Sequence, residues 1–521
     1  MSQGEHDTAS HDLQDQHLRF TQFVPLNNRD HQDFTHLANQ QNQELSTSPS
    51  MSDSVLSKVG ALAILIVLII LSGFRWYGLL LHHRGLKAYR PTPRGKSPSD
   101  NDLQDIAVIL PVVDYQSENF IPTVESILKN FPGQLYVVVV GRGAYDKVEP
   151  QMAALRKKYG HSQIHIGAVN KASTHRQIAH ALSTINHRDF RLTVITEQGA
   201  YWPPRFLPSA CYPFDDEYVS AVTVPKKAHI PPQSGIWAHV KAYLFSFHYC
   251  VQAEDNCAVN CLDRSALFGG PTTLVRTYLL KENRFKDEFE KEMWFYERFG
   301  PLTGGEHFFL NRYLLGGNKK IFFQDSPDAT VSVEMNSIRE FIGEFLRTTR
   351  DNWRTCYSIA PQCASLYYHH GHVIYPAATR MTWWPTIFSL ATQIDLLTIV
   401  LVLNDSLLNK AAFCVFIIVA FLMATTQAVL GLLVVRRMQR NDFDVIAPLS
   451  CALLSLPFQC ALSLLKGVAL LTFWKMDDES VSQNIEVPGE RNLPWSWDFN
   501  EGDWHGDMPF GGSWLLFKAK K

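Results

Sequence analysis

Short β-branched runs that alternate with helically spaced apolar residues constrain this chain most. Ile106-Ala107-Val108-Ile109-Leu110 and the run Leu135–Val140 are strand-like, and between them Phe120, Val124, Ile127 and Leu128 recur at helical spacing. A further helix–strand unit ends at Leu192–Thr196, and a strand over Tyr218–Val224 follows. Such alternation predicts a doubly wound, mostly parallel sheet, because crossover helices cover both faces of parallel strands. Ligands of such sheets bind beyond the carboxyl ends of the strands. Glu197, directly after Leu192–Thr196, is expected at one of those ends.

The composition, 46% hydrophobic and 19% charged, is shifted toward membrane proteins. No charge occurs from Val59 to Phe74, and Trp76 and Tyr77 follow as interfacial aromatics. Extended to His82, that run is long enough for a hydrocarbon core of about 30 Å. Transmembrane helices are expected over 55–82, 385–403, 411–435 and 445–474. Arg75, Arg84, Lys87 and Arg90 crowd one side of the first, and Arg436, Arg437 and Arg440 lie between the last two. The positive-inside bias then puts the α/β domain, residues 100–335, in the cytosol, with Asn404-Asp405-Ser406 on the opposite face. Asp395 and Lys466 fall inside the runs, where a charge lines a polar passage or, for Lys466, snorkels from near a helix end. Residues 336–381 read as an amphipathic interfacial segment, with His369, His370 and His372 near the bilayer. Residues 1–54, rich in Gln, Asn, Ser and His, are expected to be a disordered tail, and 475–521 a second tail. A net charge of −2 gives no pull toward nucleic acid. Cys257 and Cys261 lack a second pair at zinc spacing, so the nine cysteines read as packing residues.

Several stretches occur in an order that resembles a known family. They are Ile109-Leu110-Pro111; Asn170-Lys171 with Arg176-Gln177; the segment Val194–Thr196 with Glu197; and Tyr201-Trp202-Pro203-Pro204-Arg205-Phe206-Leu207. Asn260-Cys261-Leu262 with Arg276-Thr277 follows, then Gly305-Glu306-His307 with Phe309-Leu310 and Arg312. Ala329-Thr330-Val331, Glu344–Thr348 and Arg350–Arg354 close the series. In this membrane frame, from about Ile106 to Trp474, the chain resembles the membrane-embedded family 2 glycosyltransferases: hyaluronan, chitin and cellulose synthases, and most closely fungal capsule-type polysaccharide synthases.

The resemblance implies a GT-A-like cytosolic domain, with an N-terminal transmembrane helix and a C-terminal helical membrane region, in the plasma membrane or an endomembrane. It implies inverting transfer of a sugar from a UDP-type donor to a glycan or lipid acceptor, in cell-wall or extracellular polysaccharide synthesis. A diphosphate leaves in that reaction, and a hard cation such as Mg²⁺ or Mn²⁺ on carboxylate oxygens offsets its charge. By resemblance Glu197 is the metal residue, Lys171, Arg176 and Arg347 hold the donor diphosphate, Asn260-Cys261-Leu262 with Arg276-Thr277 form the acceptor-side strand and the helix after it, and Trp202 and Thr348 lie on the acceptor side. His307 stands where the family places its catalytic acid–base Asp, and Glu306 precedes it. Imidazole is a competent base near neutral pH. Adjacent residues on a helix do not face each other, so Glu306 is not expected to orient His307.

The chain departs from the pattern at Gly199, where a second acid is expected, at His307, at Thr348 in place of Trp, and at Glu344 in place of Gln. Gly141-Arg142-Gly143 stands where relatives carry an acid after the second strand. Plainer readings coexist: Glu197 as a polar strand end, Thr303 and Glu306 as a capping box, and Arg347 with Arg350 on lipid headgroups. Two functions therefore stand: a membrane glycosyltransferase, or an inactive relative that partners or regulates an active synthase.

Overall fold

A computed structural model describes residues 82–93, 103–160, 162–229, 236–263, 270–290, 305–317, 319–334, 337–370 and 448–472, with isolated positions besides. The chain divides into Met1–Phe74 and Arg75–Lys521, and everything below concerns the second unit. Its strands are β1 (Ile106–Pro111), β2 (Gln134–Val140), β3 (Gln163–Val169), β4 (Leu192–Thr196), β5 (Ala200–Tyr201), β6 (Val219–Thr223), β7 (Lys226–Ala228), β8 (Thr272–Arg276), β9 (Lys320–Phe323) and β10 (Val331–Val333). The helices are α1 (Phe120–Leu128), α2 (Arg142–Lys158), α3 (Thr174–Thr184), α4 (Phe206–Cys211), α5 (Ile236–Asp263), α6 (Thr277–Leu280), α7 (Asn283–Glu290), α8 (Glu306–Gly316), α9 (Ile338–His370) and α10 (Pro448–Leu471).

Seven strands form one sheet in the order β3-β2-β1-β4-β8-β6-β9, and β5-β10-β7 form a second. In the large sheet β1 pairs in parallel with β2 and β4, β2 with β3, and β6 with β9. β8 runs antiparallel to both β4 and β6, so the sheet is mixed rather than uniformly parallel. Every residue of β1 is buried. Ile106, Val108 and Leu110 pack on one face with residues of α1, α2 and α4, whereas Ala107 and Ile109 pack on the other with residues of α3 and α8. Burial on both faces is why this strand reads as a continuous apolar run without alternation. The helical spacing between β1 and β2 is realised in α1, which buries Phe120, Val124, Ile127 and Leu128.

Asn260-Cys261, expected in an acceptor-side strand, lie instead in the last turns of α5, and the strand there is β8. α5 and α9 pack with α10 through Phe245, Tyr249, Phe341, Phe345 and Leu462, with Phe458 and Leu465 beside them. The 336–381 segment is thus helical over Ile338–His370, and it buries Phe341 and Phe345 against protein. The expected spans 385–403 and 411–435, most of 55–82, and the tails lie outside the described residues. Of the fourth expected span, Pro448–Leu471 is α10. Among the described residues no helix is long and apolar enough to cross a membrane.

Candidate active site

β4 lies mid-sheet between β1 and β8 and delivers Glu197 to the carboxyl end of the sheet. The backbone N–H of Glu197 still donates to Pro271 O at 2.9 Å, which extends the β4–β8 pairing one residue past the strand. The chain then turns sharply. Gly199 adopts φ +83°, and its N–H donates to the Thr123 hydroxyl at 3.1 Å. That backbone conformation strains L side chains, so a glycine stands where the family resemblance expects the second acid.

The missing carboxylate is supplied in space by α8. Gly305, at φ +90°, is the N-cap, so the helix opens at Glu306; the Thr303 capping box is replaced by this glycine entry, and Thr303 itself lies outside the described residues. His307 Nε2 stands 3.1 Å from Glu197 Oε1 and 3.6 Å from Glu306 Oε1. Its Nδ1 meets the Thr273 hydroxyl at 3.3 Å. The expectation that adjacent helical residues point apart fails in this first turn, where the Glu306 carboxylate reaches the ring of its neighbour. Glu306 and His307 are buried, while the Glu197 side chain is 42% exposed.

The electrostatics follow from this convergence. Burial pushes the Glu197 carboxyl up, but the hydrogen bond and charge of His307, with Arg347 and Lys226, outweigh it and hold the group at about 2. Burial pushes His307 down, but the Glu197 hydrogen bond and the charges of Glu306 and Glu197 raise it above its ordinary value. Arg347 is an exposed residue of α9; desolvation of its guanidinium lowers it, and the charges of Glu197, Asp351, Glu306 and Glu344 outweigh that and raise it. It projects from α9, three residues after Glu344, whose Oε1 stands 3.2 Å from Lys226 Nζ. The sequence reading missed Lys226; its only signal was the Lys226-Lys227 pair directly after the buried β6 and Pro225.

The other expected site residues fall elsewhere. Lys171 and Arg176 sit at the β3–α3 connection, and β2 and β1 separate β3 from β4. Arg176 is exposed in the first turn of α3, where its N–H is capped by the Ser173 hydroxyl. Trp202 is a core residue: it is buried, tilts against Phe206 at 4.5 Å, and donates from Nε1 to the Thr272 hydroxyl. Thr348 is half-buried beside Arg347 on α9. Gly141, at φ +84°, is the N-cap of α2, and Arg142 pairs at the surface with Asp146 at 3.2 Å.

Glu197, Glu306 and His307 each offer a donor atom within 4.8 Å of the others, a set that could hold a divalent ion. Carboxylate and imidazole donors bind small divalent ions at about 2.0–2.2 Å, which places neighbouring donors roughly 3 to 3.5 Å apart. The 3.1 and 3.6 Å separations of His307 Nε2 from the two carboxylates lie close to that edge, and all three donors lie within 4.8 Å of one another. Two carboxylates with one imidazole suit Mn²⁺ and related ions. The residues present therefore fit the metal that the family resemblance implies.

Residues 105–325 match the family described as "Glycosyltransferase like family 2". Among curated proteins, a type 2 glycosyltransferase of Zymoseptoria tritici is 24% identical over 270 residues, covering 51% of this chain and 54% of that protein. The NDP-glycosyltransferase ltbB of Aspergillus luteorubrus is 21% identical over 283 residues, covering 52% of this chain and 64% of its own length. The chain spans about half the length of the curated type 2 relatives it matches, 54% and 56% for the first two. Among solved structures, a mannosyltransferase from Pyrobaculum calidifontis in complex with GDP-Man and Mn²⁺ aligns with TM-score 0.42 at 14% identity, over 78% of this chain and 98% of its own. Residues 105–325 are thus similar to the family 2 glycosyltransferases, and they carry a mixed, mostly parallel sheet.

Proposed function

We propose that this chain transfers a glycosyl residue from a nucleoside-diphosphate sugar to a glycan or lipid acceptor, with a divalent cation held by Glu197, Glu306 and His307. The observation that carries this reading is the 3.1 Å approach of His307 Nε2 to Glu197 at the end of β4, with Glu306 joining it from α8. When bound, the cation offsets the charge of the departing diphosphate. Arg347, whose charge is felt by Glu197, holds a diphosphate oxygen. In this reading His307 is a cation ligand and not the proton acceptor expected from the sequence. Its two carboxylate neighbours raise its proton affinity, and a bound cation would displace that proton and occupy the lone pair a base needs. Glu197, half-exposed, is the ligand open to an arriving donor.

A membrane setting, with the domain on the cytosolic side, is part of the proposal. Its support is the charge-free run Val59–Phe74 with Arg75, Arg84, Lys87 and Arg90 after it, and the later apolar runs. A role in cell-wall or extracellular polysaccharide synthesis is the corresponding proposal for the product.

Turnover of a nucleotide-sugar panel by the full chain in native membranes, with and without Mn²⁺, tests the function. Metal-dependent release of nucleoside diphosphate is expected, and Glu197→Gln is expected to lose roughly a hundredfold or more of it. Equal turnover in the variant removes this site assignment, and absence of turnover with every donor returns the chain to the partner or regulator reading.

A further inference from the structure

Beside the cation site stands a second polar group that neither the family resemblance nor the sequence reading assigns. Lys226 opens β7, in register with Val331 of β10, and its side chain is 12% exposed. The ammonium is held from two sides: Glu344 Oε1 at 3.2 Å and the Tyr249 ring at 4.5 Å to its centroid. An ammonium has three donors, and one carboxylate oxygen with one ring face leaves capacity for a further acceptor. Its charge reaches the cation site, since it lowers the proton affinity of both Glu197 and His307. Glu344 and Arg347, three residues apart on α9, share a helix face, so Lys226 and Arg347 border the same turn. Tyr249 adds a separate observation. It is 3% exposed, and its hydroxyl has no hydrogen-bond partner among the described residues. Burial raises this phenol well above its ordinary value, and Glu344 and Glu197 raise it further, so the O–H stays protonated as a donor beside the site. Buried donors of this kind are normally satisfied, and an arriving acceptor would complete both groups.

We propose that Lys226 and Tyr249 form a further subsite for the donor's diphosphate, beside Arg347, and that Glu344 occupies Lys226 until the nucleotide arrives. This rests on the donor reading above. A phosphate oxygen accepts from the Lys226 ammonium and the Tyr249 hydroxyl, and Glu344 is displaced as a competing anion. The alternative use of the pair is a tether between β7 and α9, which would contribute to stability alone.

The test is calorimetric binding of UDP and of GDP to the full chain in Mn²⁺, with thermal melts of each variant. Lys226→Met keeps the stem over Tyr249 and removes the charge; it is expected to weaken nucleotide binding about tenfold or more, as loss of a charge-assisted hydrogen bond does. Lys226→Arg restores most of that loss. Glu344→Gln removes the competing anion at equal size and is expected to tighten binding several-fold, roughly one charged contact's worth. Opposite signs in Lys226→Met and Glu344→Gln carry the proposal. Binding by Lys226→Met within about twofold of wild type overturns it, and so does equal weakening in both variants with matching falls in melting temperature. A wild-type chain that binds neither nucleotide removes the donor reading itself, and this subsite with it.

Discussion

His307 and His175 each face a glutamate, at 3.1 Å from Glu197 and 3.0 Å from Glu292 respectively, yet the two pairs sit in opposite surroundings. The Glu197 side chain is 42% exposed and its partner 9%, at the end of a central strand. His175 and Glu292 are 1% and 6% exposed; His175 tilts against Phe289 at 4.5 Å, and Arg312 pairs with the second oxygen of Glu292. A sealed carboxylate already matched by a guanidinium has no capacity for a further cation. An open one balanced by a removable proton has. The same residue types therefore brace the fold in one place, joining α3 to α8, and offer ligands in the other. Access and the charge of the third partner decide between the two.

The most forceful way to break this comparison is to remove each glutamate in turn. Glu292→Ala leaves the Arg312 guanidinium, on α8, without its carboxylate, and removing one member of a buried ion pair costs about 3–5 kcal/mol. Glu197→Gln is expected to cost less than about 1 kcal/mol, because an exposed acid contributes little to stability. Denaturant titration of both variants reads the difference, with Mn²⁺ binding as the second measurement. Glu292→Ala that remains as stable as wild type, or Glu197→Gln that unfolds readily while still binding Mn²⁺, reverses the two roles.

Legibility in the sequence follows the same division between local and distant information. β1, β2, β4 and β6 were readable because each is a short run rich in β-branched residues and buried along most or all of its length, and α1 because its apolar residues repeat at helical spacing. Glu197 was placed correctly at a strand end, since position after a strand is local information. The approach of Glu306 to His307 was not expected because helical spacing says nothing about a first turn entered through a left-handed glycine. Lys226 meets Glu344 across 118 residues, and His175 meets Glu292 across 117, so neither pairing leaves a periodic trace. Asn260 and Cys261 were placed on a strand by family resemblance, whereas they lie in α5. α5 is rich in aromatics and Cys, with middling helix propensity, and packing on α9 and α10 decides its conformation.

Gly199 sharpens the comparison at intermediate cost. If the open site was built around a carboxylate from α8, restoring the strand-end acid should bring no benefit. Gly199→Asp places a side chain at φ +83°, where nothing lies within 4 Å of the added Cβ, so the penalty is conformational rather than steric. That penalty is about 1–3 kcal/mol. No gain in Mn²⁺ affinity is expected from it. A variant that binds Mn²⁺ more tightly at unchanged stability would show that the turn, and not α8, limits the cation site.

The smallest expected effect is the pH dependence of the open pair. The folded carboxyl of Glu197 lies at about 2, below its ordinary 4.5, so its contribution is complete above pH 4.5 and is lost as pH falls toward 2. His307 is raised above 6.5, so its contribution is complete below 6.5 and is lost as pH rises through the raised value. Without cation, the pair stabilises the fold most between those two ordinary values. Mn²⁺ takes the place of the imidazolium proton, so its affinity should move the other way. It should rise with pH, by at most about tenfold per unit, until His307 is deprotonated. Electron paramagnetic resonance of free Mn²⁺ against the full chain, between about pH 5.5 and 8, covers the interval in which an imidazole titrates. His307→Gln should flatten the profile and weaken binding at every pH. A wild-type profile already flat over that interval would mean that His307 gives up no proton to the metal, leaving the two histidine pairs alike as braces.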